Sequence, residues 1–164
     1  MWIPWIFTAL VVALMVGPIM MIRLSPSQQK QAKLRTMAAM MGLIVRVKSK
    51  GETPKLQGGV IYTLPLQQSA SKRRPLWWME KGSYSHGIHF HNAWDWVGQN
   101  RAEPLDWPAI RQVIDSLPEG VSGLGLDGAG IFFQWDEKLL GMSAEAALKS
   151  LKETLESTAK KIPA

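Results

Sequence analysis

The first 22 residues, MWIPWIFTALVVALMVGPIMMI, contain no charged side chain, and the pattern changes abruptly at Arg23. The largely apolar run from Trp2 to Ile22 is 21 residues long. As a helix rising about 1.5 Å per residue it would span roughly 31 Å, the hydrocarbon thickness of a bilayer. Pro4 falls in the first turn, where a missing amide proton costs little, and Trp2 and Trp5 stand where indole rings favour the headgroup level. A cleaved leader would want a basic segment first, a shorter apolar stretch and a small-residue cleavage site. No Lys or Arg precedes this run, and its end, PIMMIRL, offers no pair of small residues. Residues 1–24 are therefore expected to form a retained transmembrane anchor.

Beyond the anchor the period shifts between helical and extended. Ser25-Pro26-Ser27-Gln28 has the form of a helix start, with Ser25 as cap, Pro26 at the first helical position and Gln28 able to bond back. Leu34, Met37, Ala38 and Met41 recur at helical spacing and Gly42 ends the run, which predicts a helix over residues 25–42. Alternating or β-rich stretches follow at LIVRVK (43–48), GGVIYTLPL (58–66) and LWWME (76–80). The stretch SYSHGIHFHNAWDW supplies a fourth strand. Asp106 is placed to cap a short helix carrying Ile110, Val113 and Ile114, and VSGLGL (121–126) and IFFQW (131–135) are joined by a hairpin signal, Asp127-Gly128-Ala129-Gly130. Ser143 opens a last helix striped by Leu148, Leu151 and Leu155. The order predicts an α+β fold over residues 43–164, a largely antiparallel sheet with helices packed on one face.

Charge sets the orientation. Residues 23–50 carry seven basic residues and no acidic one, whereas 51–164 hold 12 basic and 13 acidic. A basic flank directly after a span lies on the cytoplasmic side, so the C-terminal domain is expected there and the N-terminus outside. The overall net charge of +6 is thus a topology signal and not an advertisement for nucleic acid. Arg23, Lys30, Lys33 and Arg35 form the candidate membrane-surface set, since a cation near anionic headgroups is worth about 1 kcal/mol. The chain has no cysteine, which removes both disulfides and a lipoprotein anchor.

All three histidines, His86, His89 and His91, fall within six residues. In an unbroken strand Ile88, Phe90, Trp94 and Trp96 would face the core, and His89, His91 and Asp95 the other side. That makes His89 and His91 part of one polar strand face, while His86 falls on the core side unless Gly87 introduces a bulge. The alternative is half a metal site, because imidazoles at i and i+2 can share a zinc ion. Asp95 would then lie roughly 13 Å from His91 along the strand, too far to join it. No cysteine completes such a site, and no nucleophile motif accompanies a histidine base.

The glycines of GLGLDGAGIFF join two strands instead of a strand and a helix, so the dinucleotide fingerprint is missing. KRRPLWW brings Arg73 and Arg74 close to Trp77 and Trp78, the composition of a partner surface around the outward-facing Trp. With no second basic cluster, nucleic acid is not expected.

Roughly residues 17–50, GPIMMIRLSPSQQKQAKLRTMAAMMGL and its continuation, resemble the YajC family of Sec-translocase accessory subunits, through Arg23, Gln28, Gln29, Lys30 and Gln31. The proline here is displaced to Pro26, and the rest of the chain has no recognised counterpart in that family. The resemblance implies a bacterial inner membrane, an outside N-terminus and a non-catalytic role beside the translocase. The sequence expectation is a single-span inner-membrane protein whose cytoplasmic domain binds a protein partner, without cofactor or catalysis. A membrane-attached zinc enzyme using His89 and His91 is the competing expectation.

Overall fold

The central strand of this protein has no solvent-facing side, and the sheet is built outward from it. The computed structural model describes residues 2, 5, 6, 8, 25–47, 59–66, 75–83, 89–139 and 141–162. The chain divides into two compact units, Met1–Lys33 and Leu34–Ala164. Most of the expected anchor lies outside the described residues. Among the described residues no helix is long and apolar enough to cross a membrane.

Helix α1 spans Pro26–Met40. Its start closes the expected capping box: Gln28 N donates to Ser25 Oγ at 3.3 Å, and Ser25 N donates to Gln28 Oε1 at 3.0 Å. At the other end Gly42 takes φ +84°, a conformation that a side chain resists. Gly42 N then donates to Ala39 O and Leu43 N to Ala38 O, satisfying two terminal carbonyls. Leu34 and Ala38 are buried, with Met37 and Met41 packed against the same core.

The second unit is an α+β fold. Its strands are β1 (Ile44–Val47), β2 (Val60–Pro65), β3 (Trp77–Lys81), β4 (Trp94–Trp96), β5 (Val121–Leu126) and β6 (Gly130–Trp135). They form one six-stranded sheet in the order β1-β2-β6-β5-β3-β4, with every neighbouring pair antiparallel. Helix α2 (Trp107–Asp115) follows a 3-10 turn at Pro104–Asp106, and α3 (Ala144–Lys161) is the last described element. Asp106 does stand at the N-cap of α2, but its side chain makes no capping bond. Ser143 does cap α3, accepting from Ala146 N at 3.2 Å.

Register sorts the side chains. Tyr62, Phe133 and Leu124 lie in one cross-strand row, and Leu126 and Trp77 join Ile131 in the next. These residues share one buried cluster with Ile110, Val113, Leu148, Leu151 and Leu155, so the helices cover this face. The other face, which an antiparallel sheet commonly leaves to solvent, is also buried at its centre: Ile61, Thr63, Phe132 and Gln134 are each 5% exposed or less. On β5 this second face carries only Gly123 and Gly125. A Cβ on Gly125 would stand 2.5 Å from Phe132 Cζ and 2.6 Å from the backbone oxygen of Trp77.

One polar lock ties α1 to the sheet. Glu137, held at φ +60° just after β6, accepts Arg35 Nε at 2.8 Å and Nη2 at 2.7 Å, and Tyr62 OH at 2.8 Å. Arg35, grouped by the sequence with the candidate membrane-surface cations, is thus bonded within the fold to Glu137. Its hydrogen bonds to Glu137 hold the guanidinium above its ordinary pKa. Burial, reinforced by Glu137, pushes the Tyr62 phenol far above its ordinary value.

Three outcomes follow from this packing. Glu137→Gln is expected to cost about 2 kcal/mol in a denaturant titration, because it removes a bidentate charged acceptor. Gly125→Ala is expected to cost about 1–3 kcal/mol, since backbone and a packed ring occupy the added methyl's place. The raised Tyr62 pKa stabilises the fold below pH 10, where the phenol is protonated folded or unfolded. Above it the unfolded chain ionises first, so stability should fall by up to about 1.4 kcal/mol per pH unit, a slope that Tyr62→Phe removes.

Candidate functional site

The histidine segment is not one unbroken strand. The chain reverses at His91–Trp94, where Trp94 N donates to His91 O at 2.9 Å and Asn92 takes φ +51°. A short polar residue such as Asn tolerates this left-handed geometry better than most. β4 therefore begins only at Trp94, and the extended-strand spacing between the histidines and Asp95 does not apply. The reversal carries Asp95 back onto the preceding segment: Asp95 Oδ2 bonds His89 Nδ1, and Asp95 Oδ1 accepts Phe90 N at 3.2 Å. His91 pairs elsewhere, with Nε2 2.8 Å from Asp115 Oδ1, which also accepts Asn92 Nδ2 at 3.1 Å. Asp115 is the last residue of α2, so this pair ties the turn to the helix end.

Beneath the turn lies an aromatic cluster. Phe90 meets Trp96 edge-on at 5.0 Å and Trp107 at 5.5 Å, and Arg111 stands 5.1 Å from the centre of the Phe90 ring. These contacts and the two imidazole–carboxylate pairs hold one corner of the domain together. His89 and His91 are thus each oriented by a different carboxylate. Among the described residues no group of three or more His, Asp or Glu is placed to hold a metal ion. His86 lies outside the described residues.

Next to this corner is a cleft of about 520 Å³, lined by Glu80, Lys81, Ser83, Asp95 and Trp96 among others. Glu80 and Asp95 face one another across the β3–β4 pair, so two carboxylates share its wall. The composition of the Glu80 and Asp95 segments says nothing of this pairing; only the antiparallel return of β4 along β3 creates it.

The candidate partner surface divides. Trp77 is buried in the helix-side core, and Trp78 faces the other way, half-buried against Phe132 at 5.6 Å between ring centres. The alternation expected of neighbouring strand residues is observed. Arg73 and Arg74 lie outside the described residues, as does Arg23. Lys30 and Lys33 are exposed on α1.

No protein-family model, curated protein or solved structure matches this chain.

Replacing Asp115 with Ala removes the acceptor of both His91 and Asn92. The expected loss is about 1 kcal/mol of stability with a shift in tryptophan emission, because the turn carries Trp94 and Trp96. Asp95→Ala should act similarly through His89. Emission unchanged in both variants would show that neither pair holds the corner.

Proposed function

We propose that this chain is a membrane-tethered protein whose α+β unit binds a protein partner and catalyses nothing. The observation that carries the reading is the adjacency of two sequence segments: an uncharged run through Ile22, then residues 23–50 with seven basic residues and no acid. That sequence of lipid-soluble and cationic segments suits a single span with its basic flank at the cytoplasmic surface of an inner membrane. Exposure of Lys30 and Lys33 supports their use against anionic headgroups. The half-buried Trp78, with exposed Leu76 beside it, supports a contact surface on the folded unit. A YajC-like accessory role beside the Sec channel is the narrower form of this reading and rests on residues 17–50.

A second reading keeps one support. Metal-ligating imidazoles are commonly oriented by a carboxylate, as His89 is by Asp95 and His91 by Asp115. A membrane-attached zinc enzyme using both would need further donors, and it predicts stoichiometric zinc by elemental analysis of purified protein. Zinc that disappears in His89→Ala/His91→Ala would establish it.

The leading reading predicts that a tag placed after Ala164 resists protease added to intact spheroplasts. It also predicts a stoichiometric partner retained on purification from gently solubilised membranes. Digestion of the tag would overturn the orientation, and a lone chain with turnover on a substrate would overturn the role.

A further inference from the structure

We draw no further inference here: the strongest candidate, the outer edge of β1 with exposed Ile44 and Val47 at the margin of the sheet, carries nothing, because nothing in the structure shows what covers it.

Discussion

Everything in the folded unit is arranged around the pairing of β5 with β6. The two strands are joined at Asp127–Gly130, where Asp127 Oδ1 accepts Ala129 N at 2.8 Å and Gly130 N at 3.0 Å. They then lie at the centre of the sheet, β2 adding beyond β6 and β3 beyond β5. Because side chains alternate along a strand, the register of this hairpin decides which residues meet the helices. Ile131, Phe133 and Trp135 do so, and Phe132 and Gln134 occupy the opposite face. All six residues of β6 are buried, so a slip of one position would exchange two different sets of packed side chains. The two faces are not interchangeable: one is a continuous apolar core, the other carries glycine, threonine and glutamine.

Glu137 extends that constraint to the first helix. It follows β6 directly and accepts Arg35 from α1 and Tyr62 from β2, so one carboxylate fixes three elements. Arg suits this place better than Lys because its planar fork engages both carboxylate oxygens at once. The lock also divides the cations of α1. Arg35 serves the fold, while Lys30 and Lys33 are exposed.

The far corner of the sheet is held differently. Trp96, Phe90 and Trp107 supply the contact area, and the Asp95–His89 and Asp115–His91 pairs fix its outline. The same Asp95 lines the cleft opposite Glu80, which Lys81 also lines. Asp95 therefore serves both the hydrogen bonding of this corner and the wall of the cleft beside it.

Local chemistry was legible along the chain. The capping box at Ser25 and Gln28, the left-handed Gly42, the Asp127–Gly130 turn, the Ser143 cap and the leucine stripe of α3 each depend on residues within a turn or two of one another. So does the alternation that separates Trp77 from Trp78. From these the α+β order could be read. What the linear pattern did not contain was contact between distant residues. Arg35 and Glu137 are 102 positions apart, so no local pattern in α1 announces their pairing. The pairing of β2 with β6, the burial of the second sheet face and the meeting of Glu80 with Asp95 arise only when strands take their places. His89 and Asp95 are near in sequence, yet their contact required a chain reversal at Asn92, which the alternation around it concealed. Short-range hydrogen bonds and periodicity are properties of a segment; register and burial are properties of the packed whole, because they depend on which surfaces exclude water together.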